Sequence, residues 1–190
     1  IETFALTGVP VAGLLALESD RSPVAIGDVP LLGTMADFDR VYASLNAPQL
    51  LLASSRNRVK DETARTLSDR GVRFANAIHP RAVIATSAVV GDGAIVNALA
   101  VVQPFARVGQ HVMLHAGVVV EHDCVVGDCA NLAPRACLAG HVTVGRRATV
   151  FAGATVLPTV VIGDDAVVGA GAVVRRAVEA GTTVVGTAVA

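Results

Sequence analysis

The stretch from Val83 to Val178 divides into sixteen consecutive six-residue units with nothing left over, running from VIATSA through VVEHDC and CLAGHV to VVRRAV. The second residue of every unit is Ile, Leu or Val, and the sixth is always Ala, Val or Cys. The fourth and fifth are mostly Gly, Asp, Pro, Ala, His or Arg, so each unit reads as a short strand followed by a turn. A period this strict is the signature of a repeat architecture. Along the strand, the sixth residue and then the first, second and third of the next unit alternate in, out, in, out. The inward pair is therefore one small and one branched aliphatic residue. Three units close a triangular coil, and coils stack at the ~4.8 Å strand spacing into a prism roughly five coils tall.

The repeat explains a composition that otherwise misleads. The chain is 53% hydrophobic with 3% aromatic residues, which suggests a membrane protein. Yet Gly, Asp and Arg interrupt it every few positions, and no apolar run reaches the roughly 18 residues a span needs. The expectation is a soluble chain without a membrane span. A formal net charge of −1 and so few aromatics supply neither an electrostatic footprint nor a stacking platform for nucleic acid. Cys124, Cys129 and Cys137 are odd in number and form no CxxC, which suits small packing residues in a reducing cytoplasm. The chain opens at Ile1, inside a helix-like segment, so a preceding segment is expected.

Before the repeat the pattern is α/β alternation. IETFALTG reads as a helix end with Gly8 past its C-terminus. Residues 9–17 read as a buried strand, 18–33 as a loop with a short strand, and 34–45 as a helix opened by a Thr34–Asp37 capping box. Residues 49–53 read as strand. Ser54 or Ser55 then caps a helix over 57–70 stopped by Gly71, and 72–75 returns to strand. Strands alternating with helices imply a small parallel-sheet, Rossmann-like α/β domain over residues 1–78, incomplete at its start, followed by the prism domain over 79–190. His79-Pro80 reads as the rigid junction.

Five histidines are available for chemistry: His79, His111, His115, His122 and His141. His122 stands at a turn corner between Glu121 and Asp123, and an adjacent carboxylate fixes an imidazole's tautomer and raises its basicity. His141 lies eighteen residues after Asp123 and so stacks on it, one strand spacing away, within reach of the base or a substrate. His111 and His115 read as surface or interface residues. Paired histidines on a β-helix also raise a reading as a zinc metalloenzyme of the γ-carbonic-anhydrase type, but the spacings His111–His115 and His115–His122 and their edges do not match it. A catalytically silent binding or oligomerisation module is the other alternative.

The small α/β domain, the IHP junction, the uninterrupted hexapeptides and VVEHDCVVGDCANLAP (119–134) together resemble the bacterial hexapeptide-repeat sugar O- and N-acyltransferases of the sialic-acid and UDP-N-acetylbacillosamine acetyltransferase type. The resemblance implies a left-handed parallel β-helix, a homotrimer, and acetyl-CoA as co-substrate with no metal. It implies acetyl transfer to an amino or hydroxyl group of a nucleotide-linked sugar, with His122 as general base and Asp123 as its polarising carboxylate. Asn131, nine residues beyond His122, corresponds to a polar residue that holds the thioester, and backbone groups at Ala152 and Ala170 line the rest of the acetyl-CoA groove. Ser55 matches a glycine of the acceptor-binding segment, Ala16-Leu17 stand where the family has an acidic pair and are followed by Glu18 and Asp20, and Val185-Gly186-Thr187-Ala188 resembles a terminal V-G-N-P without its proline.

Overall fold

The computed structural model describes residues 1–17 and 25–186 of the 190. Glu18, Asp20, Thr187 and Ala188, singled out above, lie outside the described residues. Helix α1 (Glu2–Leu6) ends as its sequence predicts: Gly8 has φ +70°, its N–H donates to Ala5 O at 3.2 Å, and Val9 N–H donates to Phe4 O at 2.9 Å. The strand expected over 9–17 shrinks to β1 (Leu14–Ala16). Pro10 cannot donate to a ladder, and a Cβ on Gly13 would meet the Leu32 side chain at 2.4 Å, so this stretch is a close approach rather than a paired strand.

Strands β2 (Ala25–Ile26) and β3 (Val29–Thr34) form a hairpin, and β1 adds in parallel to β3, giving the order β1-β3-β2. The central strand thus comes from the segment that reads as a loop with a short strand. The capping box is present, with Thr34 N donating to Asp37 Oδ2 at 3.0 Å and Ala36 N donating to Thr34 Oγ1 at 3.3 Å. It opens one 3₁₀ turn before α2 (Phe38–Ser44). The strand expected at 49–53 reduces to a parallel bridge between Leu50 and Phe74. Helix α3 (Asn57–Ser68) is stopped at Gly71, φ +76°. Phe38, Leu52, Ala64, Leu67 and Val72 make a small core of their own.

From Ala77 onward the chain is a parallel β-helix whose two-residue strands stack into sheets of seven, six and five strands. Second- and sixth-position side chains, such as Val102, Ala106, Val120, Cys124, Leu138 and Val142, are 0–1% exposed and form one continuous core. Each buried Val or Leu contributes about 1.5–3 kcal/mol, so the ladder dominates the stability of this half. Two boundaries differ from expectation. Ala77–Ile78 already pairs with Ile95–Val96, so His79-Pro80 is the turn of a first unit and not a linker. At the far end Val178 pairs with Ile162 and Thr183 with Val167, sixteen residues apart instead of eighteen, because the turn after Val174 is two residues short.

The turns follow a rule that the residue types alone conceal. The fifth position is left-handed in every unit from Gly93 to Gly171, including Leu99, Phe105, Asp123, Arg135, His141 and Thr159 at φ +58° to +66°. A non-glycine residue pays about 1 kcal/mol or more for that conformation. What holds it is a hydrogen bond from the corner N–H to the coil before, a backbone one at most corners, as in His141 N–H to His122 O at 3.0 Å, and one to Ser87 Oγ at 3.3 Å at Phe105. On one edge Gly109, Gly127, Gly145 and Gly163 stand where a Cβ would come within 3 Å of the next coil's backbone. There Asp128 and Asp164 accept backbone N–H groups from Gln110 and Arg146 at 2.9 and 2.8 Å.

Helix α3 lies against the prism. Asn57 Nδ2 donates to Arg147 O at 2.9 Å and Thr149 Oγ1 at 3.0 Å. The buried Asp61 carboxylate accepts from Arg146 and Arg147 and pairs with Arg65, while Arg147 also bonds Asp165 at 2.6 and 2.8 Å. No described helix is long and apolar enough to cross a membrane.

Candidate active site

One corner of the prism stacks Pro104-Phe105, His122-Asp123, Gly140-His141 and Pro158-Thr159, each coil tied to the last by an N–H···O bond of 3.0–3.2 Å. His122 and Asp123 are both half exposed here, and His122 Nδ1 lies 2.9 Å from Asp123 Oδ2. An ionised carboxylate can only accept, so Nδ1 carries the proton and the lone pair of Nε2 is free. That nitrogen points over Gly140, where a Cβ would stand 2.6 Å from it. Gly140 thus creates the space the ring occupies, a role that stacking arithmetic locates but the residue type does not announce.

His141, reached by the eighteen-residue count, joins the pair. Its ring is perpendicular to that of His122, centroids 5.2 Å apart, and its Nε2 is 3.9 Å from Asp123 Oδ2. Among the described residues, His122, Asp123 and His141 are the group whose potential ligand atoms lie within 4.8 Å of one another, so these are the side chains that can meet at a small cation or at a proton-bearing substrate group.

His111 and His115, which read as surface or interface residues, lie inside the chain's own fold. His111 is 4% exposed, edge-on to Phe74 at 4.5 Å, and His115 is partly buried beside Asn131. Burial holds both below the ordinary imidazole pKa, with Lys60 adding to the effect. His111, His115 and His122 do not converge on one point, since His111 lies under the N-terminal half and His122 on a different corner. Cys124 and Cys129 are buried free thiols, raised above the ordinary pKa by burial, that of Cys129 to about 11. They pack rather than react.

The residues assigned to acetyl-CoA and acceptor sit elsewhere. Ala152 and Ala170 are exposed and stacked on a second corner, where Gly171 N–H donates to Ala152 O at 2.9 Å. Asn131 is 8% exposed on the face covered by α3, with Oδ1 lacking a partner among the described residues. Ser55 is exposed just before α3, near the third corner. Neither Ser54 nor Ser55 caps the helix, whose first residue is preceded by Arg56 with no side-chain cap bond; Ser54 Oγ accepts from Arg56 N–H at 3.2 Å. Within one chain the three groups stay apart.

The fold and this corner define a hexapeptide-repeat transferase, and the pattern of the bacterial transferase hexapeptide family (six repeats) matches residues 141–176. No protein with a curated description matches the chain in sequence. Among solved structures, PerB from Caulobacter crescentus, in complex with CoA and GDP-perosamine, is 34% identical with a TM-score of 0.89, over 96% of this chain and 86% of that one. A variant of the same perosamine N-acetyltransferase with one histidine replaced, also with CoA and GDP-perosamine, is 33% identical with a TM-score of 0.91, over 98% and 87%. The acetyltransferase domain of PglB from Neisseria gonorrhoeae FA1090, in complex with acetyl coenzyme A, is 27% identical with a TM-score of 0.84, over 97% and 88%. The chain belongs to the hexapeptide-repeat sugar acyltransferases, whose left-handed β-helix its stacked parallel sheets fit.

Proposed function

We propose that the protein transfers the acetyl group of acetyl-CoA to the amino group of a nucleotide-linked sugar, with His122 as general base. The observation that carries this is the His122 Nδ1–Asp123 Oδ2 contact of 2.9 Å, which leaves Nε2 free at an open corner. The acceptor nitrogen attacks the thioester carbonyl and the C–N bond forms as Nε2 takes the nitrogen's proton. Asp123 stabilises the resulting imidazolium, and a backbone N–H steadies the tetrahedral oxyanion. Collapse breaks the C–S bond, and the imidazolium returns the proton to the thiolate, giving amide and free CoA. The relatives complexed with CoA, acetyl-CoA and GDP-perosamine support this reading, and GDP-perosamine is the first acceptor to try.

The separation of the candidate residues supports a homotrimer. Ala152 and Ala170 on one corner meet His122 on another when prisms lie side by side, so that acetyl-CoA runs in a groove between copies. Ser55 belongs to an acceptor-binding half, Rossmann-like in plan, that precedes an acyltransferase half whose β-helix begins at Ala77. The reaction belongs in the cytoplasm, where acetyl-CoA and nucleotide sugars are made. The test is thiol release from acetyl-CoA against UDP-, GDP- and CMP-linked amino and hydroxy sugars, with His122→Ala in parallel. Turnover of one acceptor that falls by about 100-fold or more in the variant is expected of a lost general base. No turnover with any acceptor, together with no acetyl-CoA binding, overturns the proposal.

A further inference from the structure

We infer that His141 is a second substrate-contacting residue of this site, one that binds the hydroxyl next to the atom being acetylated and so sets which sugars are accepted. The inference rests on the transferase reading above and extends it to acceptor selection.

The geometry separates the two imidazoles by role. His122 spends Nδ1 on Asp123. His141 makes no hydrogen bond of this kind: its Nε2 is 3.9 Å from Asp123 Oδ2, outside hydrogen-bond range, and its side chain is 59% exposed. Its backbone is nevertheless fixed, because its N–H is bonded to His122 O at 3.0 Å and its φ is +61°. The imidazole is therefore held beside the base, perpendicular to it at 5.2 Å, with hydrogen-bonding capacity left over.

Where the acceptor must sit follows from His122. Nε2 abuts Gly140, whose lack of a Cβ makes room for the ring, so a nucleophile delivering its proton to Nε2 approaches from the solvent side, beside the Gly140–His141 turn. Gly140 and His141 are consecutive, so the nucleophile's neighbour on the sugar ring falls against His141. On a pyranose, heteroatoms on adjacent carbons lie about one hydrogen-bond length apart. A vicinal hydroxyl can thus bond to His141 while the nucleophile bonds to His122. Phe105, 65% exposed one coil below Asp123, offers no polar group on the other side, which leaves His141 as the polar contact next to Nε2 along this column.

The substitutions are chosen for the backbone. Asn favours left-handed φ and keeps a donor and an acceptor, whereas Gly removes the side chain without strain. Purified parent, His141→Asn, His141→Gly and His122→Ala are compared on the acceptor panel, with whichever sugar the parent acetylates and its analogue lacking the vicinal hydroxyl. His141→Gly is expected to lower kcat/KM for the acceptor about 10-fold or more, through KM, while KM for acetyl-CoA and Tm stay unchanged; His141→Asn restores much of it. The parent discriminates against the deoxy analogue by a similar factor, and His141→Gly does not. If His141→Gly stays within about twofold of the parent, or if it loses activity equally on both sugars, the inference is overturned while the transferase reading stands. A parent inactive on every sugar overturns the inference, and one that also fails to bind acetyl-CoA overturns the transferase reading with it.

Discussion

Replacing Lys60 with Met is expected to stabilise the protein. Lys60 lies on the inner face of α3, 0% exposed, and its Nζ has no hydrogen-bond partner among the described residues. The neighbouring carboxylate, Asp61, is already committed to Arg65, Arg146 and Arg147. Burial drives the ammonium's pKa from 10.5 down to about 8. At about 1.4 kcal/mol per pKa unit, that depression sets about 3 kcal/mol against the charged form. The unfolded chain keeps the proton until about pH 10.5, and the folded one releases it near 8. The penalty is therefore complete below pH 8 and is relieved between 8 and 10.5, where the unfolded state binds more protons. Met keeps the unbranched length and fills the same space with only a small packing mismatch. The gain at pH 7 is thus about 2–3 kcal/mol, in line with other replacements of buried charge by apolar groups. Urea unfolding at one fixed protein concentration measures it, at pH 7 and again at pH 10, where the advantage of Lys60→Met narrows to about 1 kcal/mol. A variant no more stable than the parent at pH 7, or an advantage that does not shrink with pH, refutes the picture of an unpartnered buried ammonium.

Two further outcomes are expected. Asp61→Ala strands Arg146, leaves Arg147 with Asp165 alone, and costs about 3 kcal/mol in urea unfolding. Burial alone pushes the Asp61 carboxyl up, but its hydrogen bonds to Arg146 and Arg147 outweigh that and hold it below the usual range, so its contribution is present above the unfolded carboxyl pKa near 4 and lost as acid protonates it. Gly140→Ala places a methyl 2.6 Å from His122 Nε2 and is expected to lower kcat about 10-fold or more without weakening acetyl-CoA binding, checked by steady-state kinetics alongside calorimetric titration.

The sequence is most legible where structure reduces to counting. In a coil of eighteen residues, the partner of any corner is found by addition, so His141 can be placed above Asp123 before any coordinates exist. The same count recovers the core, because every second- and sixth-position side chain sees the same interior. It even covers Ala77-Ile78, in phase with the repeat, although His79-Pro80 disguises that unit as a junction. The count fails where α3 docks. Asn57, Lys60 and Asp61 find their surroundings at Cys129, Arg146, Arg147 and Thr149, about 70 to 90 residues later, and nothing local in NRVKDETARTLS specifies which coil face it covers. That docking is also what buries His111 and Asn131, so their environments were unreadable for the same reason. The N-terminal sheet fails differently: β3 carries Pro30 and Gly33 and resembles a loop, yet it is central because β1 and β2 both use it as their pairing edge. Side chains whose neighbours come from the repeat can therefore be assigned by register, whereas those facing α3 need the tertiary contact itself. The His122–Asp123–His141 corner belongs wholly to the first kind.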